Sequence, residues 1–207
     1  MKNKPRLLDK KSTHIIGCVF GENVVIAGNV TLVNCEIGDG VHIFPGCEIS
    51  GSIIGNGSII RASFIENSTI GDNNQIGPFA RIRSNTITHD SVKIGNFVEV
   101  KNSELHNGVK ANHLAYIGDS EIGENTNIGC GAIFVNYNGR VKQRCKVGKN
   151  CFIGSNVNVI APIEIADGSY ICAGTTVTDN TEVDDFVIGR VKPVVKAGRG
   201  KKYRKEN

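Results

Sequence analysis

The fold of this chain is decided by the stretch VGKNCFIGSNVNVIAPIEIADGSYICAGTTV, which runs from Val147 to Val177. It places a β-branched residue at every sixth position: Val147, Ile153, Val159, Ile165, Ile171 and Val177. A spacing of six matches neither the 3.6-residue period of an amphipathic helix nor the two-residue alternation of an ordinary strand. The pattern therefore indicates an internal repeat whose unit is six residues long.

Each repeat unit ends in small or turn-prone residues, as in the segment IGSN from Ile153 to Asn156. Gly and Asn adopt backbone angles that β-branched residues disfavour, so each unit predicts a short flat strand followed by a tight corner. Three such sides close a triangular coil, and stacked coils align the aliphatic side chains inside. Upstream the phase slips, from Ile49 to Ile54 for example, which indicates five-residue sides or bulged corners.

Composition favours one elongated all-β domain, a parallel β-helix of hexapeptide repeats. The 207 residues include 25 glycines, no tryptophan and only 6% aromatics, as expected for an interior of stacked aliphatics. We expect a charged lead-in over residues 1–16, the β-helix over 17–189 and a basic tail over 190–207. The apolar run that a membrane span or a signal peptide needs is missing, which predicts a cytoplasmic protein with no membrane partner.

Charge and cysteine content limit the partners. The segment from Arg190 onward carries +7 of a whole-chain net charge of +4, which leaves −3 on the body. Such a tail is either a solvated terminus or a contact for a phosphate-rich ligand, and nucleic acid is not favoured because Tyr203 is its single aromatic. The seven cysteines form no Cys-x-x-Cys pair, so we expect free thiols in a reducing compartment.

Two segments, Val100 to Ile117 and Ile133 to Val147, interrupt the ladder. Insertions project from the corners of a solenoid and commonly build its sites. The second contains Asn138-Gly139, a strong signal for a two-residue type I′ turn. The sequence therefore predicts a projecting hairpin there.

Several motifs outside the hexapeptide pattern are specific: IGPFARIR at 76–83, GNFVEVK at 95–101, HLAYIGD at 113–119, Asn136-Tyr137, and AGTTVT at 173–178. In order and spacing they resemble the acetyltransferase half of the bacterial bifunctional N-acetylglucosamine-1-phosphate uridyltransferase/glucosamine-1-phosphate acetyltransferase. The resemblance runs from about Asn23 to Arg190. Since it leaves no room for the family's N-terminal nucleotidyltransferase domain, we expect the chain to correspond to the acetyltransferase half standing alone.

The resemblance implies a left-handed coil, a homotrimer with sites between neighbouring chains, and acetyl-CoA as the acetyl donor, with no metal required. It makes His113 the general base and Glu99 its supporting residue. An imidazole suits this role, because the attacking amine must lose a proton as it adds to the thioester.

The resemblance also implies the residues that bind the two small-molecule substrates. For the sugar phosphate they are Arg83, Lys101, Tyr116, Asn127 and Lys142. For acetyl-CoA they are Cys130, Asn136, Tyr137, Ser155, Ala173 and Arg190. Arginine offers a planar fork to phosphate oxygens and lysine a point charge, so three cations suit a dianionic phosphomonoester. Two positions depart from the family pattern: Cys130 replaces an alanine, and Asn112 replaces the glycine before His113.

Three hypotheses remain open from the sequence. The first is an N-acetyltransferase that moves acetyl from acetyl-CoA to the amine of glucosamine 1-phosphate for UDP-N-acetylglucosamine and cell-wall synthesis, with a separate nucleotidyltransferase as a conceivable partner. The second is an acyltransferase acting on another amino sugar or nucleotide sugar. The third is a non-catalytic β-helix that serves trimerisation or partner binding. A metal-dependent hydratase is not supported, because His106 and His113 do not form a histidine triad across coils.

Overall fold

The structure, a computed structural model, describes residues 3–203 of the chain. Thirty short strands form three parallel sheets, and these sheets are the three faces of one triangular coil. The first face contains β1 (Arg6–Leu7), β4 (Val25–Ile26), β7 (His42–Ile43), β10 (Ile59–Ile60), β13 (Gln75–Ile76), β16 (Lys93–Asn96), β19 (Lys110–His113), β22 (Asn127–Ile128), β25 (Phe152–Ile153), β28 (Tyr170–Ile171) and β30 (Phe186–Val187).

The other two faces are built in the same way, with strands numbered in chain order. The second face contains β2 (Thr13–Ile16), β5 (Val30–Val33), β8 (Cys47–Ser50), β11 (Phe64–Glu66), β14 (Arg81–Arg83), β17 (Glu99–Lys101), β20 (Tyr116–Gly118), β23 (Ile133–Val135), β26 (Asn158–Ile160) and β29 (Thr176–Val177). The third face contains β3 (Val19–Phe20), β6 (Glu36–Ile37), β9 (Ile53–Ile54), β12 (Thr69–Ile70), β15 (Ile87–Thr88), β18 (Glu104–Leu105), β21 (Ser120–Ile122), β24 (Cys145–Val147) and β27 (Glu164–Ile165).

Each strand pairs with the equivalent strand of the next coil, and corresponding residues are generally 16 to 18 positions apart. On the first face, for example, Val25 lies in register with His42, and His42 with Ile59. Coils shorter than three full hexapeptides explain the phase slips seen upstream in the sequence. The predicted parallel β-helix is thereby confirmed, while its left hand stays a prediction from the resemblance.

The interior is a column of aliphatic side chains. All six ladder residues from Val147 to Val177 are buried, with at most 4% of their surface exposed. Phe134 is the largest of the fully buried side chains, and the next largest are isoleucines and one leucine. At roughly 1.5–3 kcal/mol for each buried aliphatic side chain, stacking of neighbouring coils is the main stabilising contribution.

Side-chain oxygens fix the corner between the third and first faces. There the Oδ1 atoms of Asp39, Asn56, Asp72 and Asp90 each accept a hydrogen bond from a backbone N–H of the preceding coil, at 2.6–2.8 Å. Aspartate and asparagine serve equally as acceptors here. This arrangement satisfies backbone donors that a corner would otherwise leave unpaired.

All seven cysteines are free thiols, as predicted. Cys18 and Cys130 are partly exposed, whereas the other five are buried. Burial raises the pKa of Cys47 and Cys145, so these two thiols remain protonated and behave as small apolar side chains.

The first interruption predicted from the sequence is wrong, because Val100 and Ile117 lie in register on adjacent strands of a regular coil. The second interruption is a projecting hairpin, as predicted, but its turn differs from the prediction. Asn125 contacts Asn150 of the next coil, 25 residues on, and the extra length projects as the hairpin. Tyr137 pairs with Lys142 in antiparallel fashion. Of the two central residues Gly139 alone has positive φ, so the predicted type I′ geometry is wrong. The Asn138 side-chain oxygen instead accepts the N–H groups of residues 140 and 141, at 3.0 and 2.9 Å, and this closes a four-residue loop.

The two ends of the chain contrast with the body. Strand pairing begins inside the expected lead-in, since β1 pairs with β4. The described residues after β30 are exposed and include a short 3₁₀ helix, Arg199–Tyr203. The predicted basic residues Arg204 and Lys205 lie outside the described residues. Within residues 3–203, no helix has both the length and the apolar character needed to span a membrane.

Candidate active site

A cleft of about 500 Å³ opens where the second-face strands end and the hairpin returns. Its charged lining consists of the cations Arg83, Lys101, Lys142 and Arg144 and the carboxylates Glu66 and Asp119. Within this lining the cations outnumber the carboxylates, which favours an anion such as a phosphomonoester. Three of these cations are those that the resemblance assigns to the sugar phosphate. The register explains their proximity, since β14 and β17 place Arg83 opposite Lys101 on adjacent coils.

Glu99 is paired with Arg83 in this chain. Its Oε1 accepts a hydrogen bond from Nη1 of Arg83 at 2.8 Å, and this contact raises the pKa of the guanidinium further. Among the described residues, no hydrogen bond joins Glu99 to His113. The role that the resemblance gives to Glu99 therefore stays a prediction, while its visible contact is with a phosphate-binding candidate.

Asp119 organises the floor of the cleft. Both of its carboxylate oxygens lie 3.4 Å from Nζ of Lys101, and the Asn102 amide donates to Oδ1 at 2.5 Å. The Asn136 amide donates to Oδ2. Burial by itself would raise the pKa of Asp119, but these two amides and the Lys101 charge outweigh burial and lower the pKa. Asp119 therefore holds Lys101 and Asn136 in place as a carboxylate.

The contacts of Asp119 predict that replacing it lowers the stability of the folded chain by an amount that depends on pH. At pH 7, Asp119→Asn should cost about 1–3 kcal/mol in the free energy of unfolding, because it removes a buried carboxylate that is bonded to charged and amide groups. The folded-state pKa is lowered, so this contribution is present above the unfolded-state value near 3.9 and is lost as the pH falls through the folded-state pKa.

Urea unfolding at pH 7 and near pH 3 measures this difference, with the exposed Glu36→Gln on β6 as the matched control. We expect a gap between the two variants at pH 7 that narrows in acid. Equal stability of the two variants at pH 7 would contradict the proposed role of Asp119.

Tyr116 lies next to Gly118 and Asn136, beside the residues that bond to Asp119. Its ring lies against Gly118, where an added Cβ would approach the tyrosine oxygen to 2.5 Å. The tyrosine hydroxyl lies 3.5 Å from Nδ2 of Asn136, which the resemblance assigns to acetyl-CoA. Glycine at position 118 therefore leaves room for Tyr116 to reach the residues of the floor.

A second group of candidates follows the corner between the first and second faces. His113 ends β19 in register with Asn96, and the equivalent positions of the following coils are Cys130, Ser155 and Ala173. Backbone hydrogen bonds of 2.8 Å from residue 156 to residue 130, and from residue 174 to residue 155, fix this column. The Arg190 side chain lies at its end, with Cγ and Cδ 3.6 Å from the position of an added Cβ on residue 174.

The structure thus divides the candidates into two groups. The cleft group consists of Arg83, Lys101 and Lys142, which line the cleft, and of Glu99, Asn136 and Tyr116, which are linked to its lining by hydrogen bonds. The corner group is His113, Cys130, Ser155, Ala173 and Arg190. Asn127 belongs to neither group, because it lies on the first face in register with Lys110 and Phe152. Tyr137 is exposed on the hairpin.

Among the cleft residues that had no role in the sequence analysis, three make contacts that organise it: Asp119, Asn102 and Arg144. Asp119 closes the motif HLAYIGD, which is the signal that could have drawn attention to it. Arg144 donates to the backbone carbonyls of Asn102 and Ser120, each at 3.3 Å, and so anchors the returning strand of the hairpin to the coils. The sequence cannot reveal these contacts, because each of them joins different coils.

Comparison with known proteins agrees with the fold. Residues 144–179 match the family described as bacterial transferase hexapeptide (six repeats), and residues 46–128 match the GlmU-like, C-terminal hexapeptide family. The bifunctional protein GlmU of Geobacillus sp. (strain WCH70) is 44% identical over 198 residues, which cover 95% of this chain and 43% of the relative. That of Staphylococcus haemolyticus (strain JCSC1435) is 43% identical over 205 residues, covering 98% and 45%.

Among solved structures, LpxA of Bacteroides fragilis 9343, a UDP-N-acetylglucosamine acyltransferase, has a TM-score of 0.48 and 20% sequence identity, covering 84% of this chain and 68% of that one. The chain spans less than half the length of the GlmU relatives it matches, and it does so almost from end to end of its own sequence. The chain therefore belongs to the hexapeptide-repeat family as a GlmU-like member, and it corresponds to the C-terminal hexapeptide region of those proteins.

Proposed function

We propose that the chain is an N-acetyltransferase that moves acetyl from acetyl-CoA to the amine of glucosamine 1-phosphate. The observation that carries this proposal is the gathering of Arg83, Lys101 and Lys142 in one cleft with a net positive lining. A scaffold protein has no need of such a cleft. The GlmU relatives favour a sugar phosphate as the anion.

In this proposal the phosphate lies in the cleft and fixes the sugar. Arg83 is oriented by Glu99 at 2.8 Å, and Lys101 by Asp119 at 3.4 Å, so neither cation has to be ordered at the moment of binding. Preorganisation of this kind lowers the entropic cost of binding. Lys142 approaches from the hairpin, on the return after Gly139.

His113 takes the proton from the amine as the nitrogen attacks the thioester carbon. The C–N bond forms, the C–S bond breaks, and His113 passes the proton to the departing sulfur, so coenzyme A leaves as the thiol. His113 is exposed, so both substrates have access to its ring. Acetyl-CoA would extend along the corner column from His113 past Cys130 and Ser155, with Arg190 at the far end for its phosphates.

The division of the candidates between a cleft and a corner motivates a trimeric site. Within one chain the two groups belong to different surfaces of the coil, and a neighbouring chain could bring its corner against this cleft. Light scattering should therefore report about three chains per particle. A monomer that turns over substrate at full rate would contradict the shared site.

Release of free thiol from acetyl-CoA tests the proposal directly. We expect release with glucosamine 1-phosphate and much less with glucosamine, or with amino sugars phosphorylated elsewhere. Preference for a nucleotide sugar would favour the second hypothesis of the sequence analysis. No thiol release with any acceptor would favour the non-catalytic scaffold.

A further inference from the structure

A column of small residues on the third face is interrupted by two histidines. The residue that follows each strand of this face is Gly or Ala in seven coils: Gly21, Gly38, Gly55, Gly71, Gly123, Gly148 and Ala166. In two adjacent coils it is His89, after β15, and His106, after β18. The position is crowded, since an added Cβ at residue 55 or 71 would lie 2.5–2.6 Å from backbone atoms of the next coil. Packing of the coils therefore favours a small residue at this position. The two histidines are not explained by packing, which points to a different role for their side chains.

The two imidazole rings are stacked face to face, with centroids 4.8 Å apart and planes 10° apart. Nε2 of His89 lies 2.8 Å from Oε1 of Glu104. Nε2 of His106 lies 3.6 Å from Oε1 of Glu121, too long for a hydrogen bond. One ligand atom from each of His89, Glu104 and His106 lies within 4.8 Å of the other two, and all three residues are partly buried.

The charges around the histidines favour a cation. Glu104 and Glu121 lie directly opposite each other in register on β18 and β21, and like charges in this arrangement destabilise a sheet. Lys146 lies in register with Glu121 on the next coil, so its positive charge offsets the negative charge of Glu121 on the side away from Glu104.

We propose that His89, Glu104 and His106 bind one divalent transition-metal ion of the zinc class, which links two adjacent coils. Two imidazole nitrogens and one carboxylate oxygen are a donor set that Zn²⁺ accepts, at ligand distances of about 2.0–2.2 Å. In the stacked arrangement the in-plane lone pairs of the two rings run parallel, so both rings rotate out of the stack on binding to direct their nitrogens at the ion. The ladder supplies the framework, because parallel strands hold neighbouring coils about 4.8 Å apart. On binding, the ion takes the place of the proton between His89 and Glu104, and the His89 ring carries its proton on Nδ1 instead of Nε2. This site plays no part in the proposed acetyl transfer, since neither histidine lines the cationic cleft.

Metal titration of the full chain, stripped with a chelator, tests the site. We expect one Co²⁺ per chain, with visible bands of a nitrogen and oxygen ligand field and no thiolate-to-metal band. Zn²⁺ should displace Co²⁺ and raise the midpoint of thermal unfolding, because it binds only the folded chain. The double variant H89G/H106G carries the residue that most other coils have at this position. It should fold without metal, as circular dichroism would show. Its Zn²⁺ affinity should fall by at least about 100-fold, because replacing residues that only contact metal ligands already lowers metal affinity by 10- to 100-fold.

His42→Gln on β7 is the matched control, and its Zn²⁺ affinity should equal that of the unmodified chain. Unchanged affinity in the double glycine variant would overturn the proposal, as would a thiolate band, which would point to cysteines. Absence of binding by the unmodified chain at millimolar metal would also overturn it. If the double glycine variant does not fold, H89Q/H106Q provides the same comparison with side chains of similar length.

Discussion

Replacing His113 with alanine is expected to lower kcat by about 10²–10⁴-fold, the range lost when a positioned general base is removed. The expectation follows from the place of His113 at the head of the corner column, exposed and in register with Asn96. The fold should be unaffected, because the histidine side chain contributes nothing to the aliphatic interior. Thiol release from acetyl-CoA measures the rate, and circular dichroism and light scattering report the fold and the assembly.

His42→Ala is the matched control for this experiment, as another exposed histidine outside both groups of candidates. Unchanged turnover in a folded His113→Ala protein would reject the proposed base. Glu99→Gln adds a sharper comparison. If Glu99 acts through Arg83, as their 2.8 Å contact indicates, its effect should vanish in an Arg83→Ala background and persist in a His113→Ala background. The opposite pattern would assign Glu99 to the support of His113.

Replacing Arg83 with alanine should remove most of the preference for glucosamine 1-phosphate over glucosamine. A charged hydrogen bond contributes about 1.5–3 kcal/mol, so kcat/KM for the phosphorylated sugar should fall by roughly 10- to 150-fold. The value for free glucosamine should change little, because that substrate offers no phosphate to the cleft. Both constants come from the same thiol-release assay.

Arg81→Ala is the control on the same strand, β14. Its side chain lines a different cleft, together with Glu48 and Phe64, so the preference for the phosphorylated sugar should survive. Equal losses in the Arg83 and Arg81 variants would mean that general positive charge is responsible. Equal kcat/KM for both sugars in the unmodified chain would exclude Arg83 from phosphate binding.

The fold could be predicted because its signal is local. A β-branched residue at every sixth position from Val147 to Val177 reports the interior directly, and all six are buried. Coil lengths are harder to read where sides are shortened, as between Ile49 and Ile54, because the phase then depends on corner geometry. The prediction of a type I′ turn at Asn138 was wrong for a similar reason. Hydrogen bonds from loop N–H groups to the Asn138 side-chain oxygen close the loop, and Asn138 itself does not have a positive φ.

The site could be predicted only in part. Comparison of motifs selected Arg83, Lys101 and Lys142, and the structure places all three in one cleft. The motif HLAYIGD includes Asp119 but does not reveal its role, because its partners Asn102 and Asn136 lie 17 residues away on either side and meet it only through coil register. The stacked pair of His89 and His106 is hidden for the same reason. Side chains that are distant in sequence become neighbours when the distance equals one coil.

The short distance along the chain between paired strands also bears on the rate of folding. Parallel sheets usually form slowly, because each pairing must close a long crossover. Here the crossover is a single coil, and a typical separation of 17 residues in a chain of 207 gives a relative contact order of about 0.08, a value typical of helical bundles. The hairpin lengthens one closure to 25 residues, at an entropic cost of only about 0.3 kcal/mol. An entirely β chain can therefore nucleate at any coil and grow towards both ends at a speed more usual for helical proteins.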